Sequence, residues 1–122
     1  MDNKYLNMEE NIWDSGYTKV YDDFFLHWIK IIGPGPLMLY YQLKSFCYGD
    51  KIHAWPSVGT LAKRMGVTKN TVRKYRQVLI EHGLIVKMLK RKSEDGSYQI
   101  NMYEIVRYEN MIAAGQTYDE YM

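Results

Sequence analysis

Cysteine is nearly absent from this chain. Cys47 stands alone among 122 residues, so no internal disulfide can form, and a thiol set among apolar neighbours behaves as a small hydrophobe. A reducing cytoplasm is the expected setting. One cysteine with the scattered His27, His53 and His82 gives no metal-ligand spacing, so neither a metal nor another cofactor is expected. Long apolar runs are also missing. No stretch approaches the ~18 residues of a membrane-spanning helix, and residues 1–11 are polar and acidic, unlike a secretory signal. No nucleophile elbow or paired-carboxylate pattern appears, and Asp22-Asp23 reads as a helix cap. The run Gly33-Pro34-Gly35-Pro36 lacks a Gly-Lys-Ser/Thr ending, and its prolines remove the backbone donors a phosphate loop uses. The sequence therefore points away from an enzyme and away from a membrane.

Acidic residues are missing from one particular place. Between Ser57 and Lys92 the only acid is Glu81, against ten Lys and Arg residues, a net +9, while the flanks are acidic and the whole chain carries only +2. Cations concentrated in one short segment make a local field that attracts polyanions whatever the net charge. The length suits one domain with one core. Tyrosine is abundant at 12 copies, a residue suited to half-buried rims and subunit contacts.

Periodicity and punctuation place the elements. Residues 17–21, Tyr-Thr-Lys-Val-Tyr, are rich in aromatic and β-branched side chains and read as a short strand. Phe24, Phe25, Trp28, Ile29, Ile31 and Ile32 crowd the following helix on nearly all sides, and Gly33 to Pro36 stop it. A helix over 37–47 is apolar almost all round and forms the expected centre of the domain. Residues 51–55 read as a short strand ending at Pro56. Ser57 then caps a helix whose Val58, Leu61, Ala62 and Met65 make one apolar stripe, and Gly66 ends it. Thr68 caps a second helix over 69–82, with Gly83 as its left-handed stop. Residues 84–89 and 98–106 read as two strands of a hairpin with its tip at 93–97. A short helix through Met111 to Ala114 precedes an acidic tail. The fold class expected is mainly α with a small β-hairpin, a winged helix-turn-helix with an N-terminal extension.

On a helical wheel Val72, Tyr75 and Leu79 share one side of the 69–82 helix, and Asn70, Arg73, Lys74, Gln77 and Glu81 share the other. A helix fits a major groove about 12 Å wide. Arg73 has the fork for guanine O6 and N7, and Asn70 and Gln77 carry the donor-acceptor pair that adenine requires. Lys69 and Lys74 suit phosphates. Backbone amides at the helix starts by Ser57 and Thr68 add phosphate donors, and Lys90, Arg91 and Lys92, with Lys87, make a basic hairpin. The expected DNA-binding residues are thus Ser57, Thr68, Lys69, Asn70, Arg73, Lys74, Gln77, Lys90, Arg91 and Lys92. Arg76, Lys63 and Arg64 are as consistent with packing or solubility as with DNA.

The run from Trp55-Pro56-Ser57 through Leu61-Ala62 and Gly66-Val67-Thr68 to Thr71-Val72, followed by Leu79-Ile80-Glu81-His82-Gly83-Leu84-Ile85, resembles the winged-helix domains of DnaD-like and plasmid or phage replication proteins. The resemblance covers about residues 36–90 and implies double-stranded DNA binding in replication initiation, with other replication proteins as partners. Pro56-Ser57, Leu61-Ala62, Gly66-Val67, Thr71-Val72-Arg73 and Gly83-Leu84-Ile85 are also similar to the DNA-binding half of GntR-type transcription regulators, although Val58-Gly59 lacks that group's Glu-Arg pair. Residues 1–35 form the expected extension, 36–107 the winged helix and 108–122 a tail. Trp13, Phe24, Phe25 and Trp28 suggest a homodimer through the extension. A different class of reading makes the basic surface a docking site for an acidic protein in primosome assembly.

Overall fold

The computed structural model describes residues 16–47, 51–92 and 94–108. Helix α1 spans Asp22–Ile32, α2 Pro34–Ser45, α3 Val58–Met65 and α4 Lys69–Glu81, with strands β1 at His53–Ala54, β2 at Ile85–Lys92 and β3 at Tyr98–Ile105. The strands form one antiparallel sheet in the order β1-β3-β2. Helix, strand, helix, turn, helix and hairpin, in that order, make a winged helix-turn-helix.

Helix α1 begins after the extended residue Tyr21, and no side chain caps it. Asp22 and Asp23 occupy its first turn, where carboxylates meet the positive end of the macrodipole without acting as the cap. The strand expected over 17–21 does not form. Lys44, 5% exposed, donates from Nζ to the Lys19 carbonyl at 2.8 Å and sits 5.4 Å from the centre of the Tyr21 ring. A side-chain ammonium thus takes the carbonyl that a strand neighbour would otherwise hold.

Gly33 has φ +80 and is both the end of α1 and the start of α2, so a single left-handed residue reverses the chain. Pro34 is then the first helical residue, the position where a missing N–H costs nothing. The Gly-Pro-Gly-Pro run is therefore mostly helix, and α2 starts three residues before the position that periodicity assigns. Leu37, Leu39, Tyr40, Leu43 and Lys44 are buried around α2, which makes it the centre of the domain as expected. The Tyr40 hydroxyl donates to the Val106 carbonyl just past β3.

The helices and sheet share one core. Phe24, Trp28 and Ile32 of α1, Leu61 and Ala62 of α3, Val72 and Leu79 of α4, and Ala54, Leu84, Ile85, Tyr103 and Ile105 around the sheet all belong to it. Each fully buried aliphatic or aromatic side chain contributes about 1.5–3 kcal/mol of transfer free energy. Phe24 stacks obliquely on Tyr40 at 5.1 Å, and Tyr21 meets the Tyr108 ring edge-on at 5.2 Å. Phe24 and Trp28 thus need no second subunit to cover them; Trp13 lies outside the described residues, as does the short helix expected through Met111. No described helix is long and apolar enough to cross a membrane.

The hairpin is longer on its first strand than the sequence pattern marks. Ile85 pairs with Ile105 and Lys92 with Tyr98, and register shifts fall between Ile85 and Lys87 and between Leu89 and Lys90. Those irregularities break the alternation by which a strand is recognised. Lys87, Lys90, Arg91 and Lys92 are all exposed along β2.

Candidate nucleic-acid interface

The two helices of the helix-turn-helix are built by the same local chemistry. Ser57 Oγ accepts from the Thr60 amide at 3.1 Å and Thr68 Oγ1 from the Thr71 amide at 3.2 Å, and each cap also touches the hydroxyl of that third residue at 3.0 Å. A cap of this kind is worth about 1 kcal/mol. Both helices end alike as well. Val67 N–H reaches the Ala62 carbonyl and Gly66 N–H that of Lys63, while Leu84 N–H reaches Leu79 and Gly83 N–H reaches Ile80. These are paired Schellman closures, and their glycines have φ +67 and +75, the left-handed geometry such closures require.

Between the two helix starts lies an open cleft of about 660 Å³, lined by Ser57, Thr60, Lys63, Thr68 and Lys69 among others. Three of the expected residues, Ser57, Thr68 and Lys69, are brought together here, and Lys63 joins them in the lining. Gly59 also lines the cleft. A methyl group there would meet Lys69 Cε at 3.5 Å and Ser57 Oγ at 3.8 Å, ordinary contact that an alanine tolerates.

Helix α4 divides as its wheel predicts. Val72 and Leu79 are fully buried, Tyr75 is half-buried, and Lys69, Asn70, Arg73, Lys74, Gln77 and Glu81 are exposed. Thirteen residues at ~1.5 Å each give a rod of roughly 20 Å. Arg73 Nη1 donates to Asn70 Oδ1 at 2.8 Å and Gln77 Nε2 to Glu81 Oε1 at 3.3 Å. Besides Val72 and Leu79, two rings brace the helix from behind. Tyr75 lies against Gly35 of α2, and the His82 ring, at the C-cap, meets Trp28 of α1 edge-on at 5.9 Å.

Two other basic residues are occupied by packing. Arg76 is half-buried and donates to the Tyr103 hydroxyl at 3.3 Å. Arg64 lies 4.3 Å over the Phe46 ring and donates to Ser45 Oγ at 3.3 Å, a cation–π contact. Lys90, Arg91 and Lys92 form an exposed basic strip on β2, a separate element from the cleft. The charges at the end of α3 and in α4 read alike in sequence; the aromatic neighbours of Arg64 and Arg76, which come from the C-cap of α2 and from β3, are what separate them. The Tyr75–Gly35 contact has no sequence signal, since it joins residues forty positions apart through a glycine that otherwise reads as turn punctuation.

The fold and these features define a winged helix-turn-helix protein. Residues 32–85 match the family described as a helix-turn-helix domain, a stretch running from the end of α1 to the first residue of β2. The match supports a DNA-binding helix-turn-helix with DNA as its partner. No curated protein matches the chain.

Proposed function

We propose that this protein binds double-stranded DNA by inserting α4 into the major groove and laying the Lys90-Arg91-Lys92 strip of the wing along the backbone. The observation that carries the reading is the exposed face of α4, where Asn70, Arg73, Lys74 and Gln77 all stand clear of the core on a helix braced from behind by Tyr75 and His82. The cleft between the starts of α3 and α4 gives phosphates a seat beside Lys63 and Lys69. In this reading Arg73 supplies base contacts, and the lysines set position on the backbone.

With four to six phosphates neutralised, log K falls against log salt with a slope of roughly −4 to −5, about −0.9 per contact. Gel-shift titrations of duplex DNA across a salt series test this. A flat response is incompatible with it.

The biological setting we propose is replication initiation of a phage, plasmid or bacterial chromosome, supported by the resemblance of residues 36–90 to DnaD-like winged helices; transcription regulation of the GntR type is the alternative. Self-association through the first 35 residues belongs to the same proposal. It is supported by the exposed Leu26 and Ile31 of α1, which are 55% and 46% accessible. Sedimentation showing a monomer at micromolar concentration would remove that element and leave DNA binding in place.

A further inference from the structure

The two side-chain bonds on the outward face of α4 fix how its amides are turned, because their partners are chemically one-sided. A guanidinium only donates, so the Asn70 atom facing Arg73 Nη1 at 2.8 Å is the oxygen. A carboxylate only accepts, so the Gln77 atom facing Glu81 Oε1 at 3.3 Å is the nitrogen. These assignments follow from the donor and acceptor inventory of the groups. With its oxygen turned to Arg73, Asn70 presents Nδ2–H donors beside the remaining guanidinium donors. Gln77, with its nitrogen turned to Glu81, presents its oxygen beside a carboxylate. All four side chains are exposed.

We propose that Asn70 is a positioning residue for Arg73 and not an independent adenine reader, and that α4 reads the groove with a fixed polarity. Its donor end, Asn70 and Arg73, takes a guanine, whose major-groove edge offers only the acceptors O6 and N7. Its acceptor end, Gln77 and Glu81, takes a base bearing an amino group, cytosine N4 or adenine N6. An arginine fork already held by a neighbour loses less freedom on meeting guanine than one that must be ordered at that moment. The midpoints of the two pairs are 7.5 residues apart, about 11 Å along the helix, which corresponds to about three base pairs at 3.4 Å each. This assignment rests on the reading that α4 enters the major groove.

The test is enrichment of duplexes from a randomised pool by the full chain, in the wild type and in Asn70→Ala, Asn70→Asp, Arg73→Ala, Glu81→Ala and the Asn70→Ala/Arg73→Ala double variant, with thermal melts confirming that each is folded. The wild type is expected to enrich guanine at one position by about tenfold or more. Asn70→Ala relaxes that same guanine several-fold, and the double variant is no more relaxed there than Arg73→Ala. Asn70→Asp keeps the acceptor and therefore the guanine preference, while its charge weakens binding to every duplex. Glu81→Ala relaxes an amino-bearing base about three base pairs away and leaves the guanine intact. The assignment is overturned if Asn70→Ala instead relaxes an adenine at a separate position with guanine preference unchanged, or if the wild type binds duplexes yet enriches none. A wild type that binds no duplex at all refutes the DNA reading itself and this assignment with it.

Discussion

Two glycines in helices, Gly35 in α2 and Gly59 in α3, respond in opposite directions to the same substitution. In a helix, alanine in place of glycine normally gains about 0.5–1 kcal/mol, through the conformational freedom that glycine loses on folding. At Gly59 the added methyl meets nothing nearer than Lys69 Cε at 3.5 Å, so Gly59→Ala keeps that gain. At Gly35 a methyl would lie 2.3 Å from Tyr75 Cζ, 2.6 Å from its hydroxyl oxygen and 2.7 Å from Cε1. Carbon atoms in contact rest about 3.5–4.0 Å apart. The overlap exceeds an ångström, and the ring must swing out or α4 must move away from α2. Overpacking of this kind costs about 1–3 kcal/mol, and after the propensity gain the net loss for Gly35→Ala is about 1–2 kcal/mol.

Urea or thermal unfolding of the two single variants measures both signs, and a double-mutant cycle locates the cause. Tyr75→Ala costs stability in the wild-type background but much less in the Gly35→Ala background, giving a coupling of about 1 kcal/mol or more. Tyr75→Phe gives no relief, because the closest atom is a ring carbon. The DNA titration adds a functional reading: Gly35→Ala weakens duplex binding by displacing α4. If Gly35→Ala is as stable as the wild type, or the cycle shows no coupling, the claim that α2 sets the position of α4 through this contact is wrong.

Leu79→Ala removes a fully buried side chain from the back of α4 and is expected to cost about 2–5 kcal/mol, with a cooperative unfolding curve at lower denaturant. Thr68→Ala deletes the cap of α4 and lowers stability by about 1 kcal/mol, read by the same unfolding assay. Burial raises the Cys47 thiol from 9.0 to about 11, with Arg107 and Lys44 opposing the shift. The neutral thiol is the form that the fold favours, so its contribution to stability is intact below pH 9 and is lost as pH rises toward 11; Cys47→Ala should flatten that part of the stability profile. For the same reason, alkylation of the native protein at about pH 8 is slow and becomes fast in denaturant. Arg73→Ala costs about 1–3 kcal/mol on a preferred duplex and relaxes its sequence, while Lys92→Ala weakens all duplexes alike and reduces the salt slope by about 1. A competition titration against random DNA distinguishes the two.

The helix-turn-helix was legible because its signals are local. Ser57 and Thr68 each bond an amide three residues on, and Gly66 and Gly83 each close a helix with φ positive, so caps, stripe and stops are written within a few positions of one another. The polarity of α4 was legible for the same reason: burial of Val72 and Leu79 dictates what faces out. Where a distant partner decides, the pattern misleads. The strand composition at 17–21 yields to Lys44, which takes the Lys19 carbonyl from another element. Gly33 alone makes the turn that the four Gly and Pro residues signal in the sequence, because φ +80 there lets Pro34 start the next helix at once. Phe24 and Trp28 signal an uncovered surface in the sequence, but the Tyr40, Tyr108 and His82 rings surround them in the fold. The occupation of Arg64 and Arg76 by Phe46 and Tyr103 is of the same kind, a contact across elements that no spacing announces.

The outward face of α4 as the surface that meets DNA is the claim on which the account rests, and chemical-shift mapping of the isotope-labelled chain with a duplex tests it most directly. The largest amide shifts are expected along residues 68–81 and in the wing strip 90–92, with Asn70 and Arg73 side-chain signals moving as well. Shifts concentrated on α1 or on β1, with α4 unmoved at saturating duplex, would contradict it.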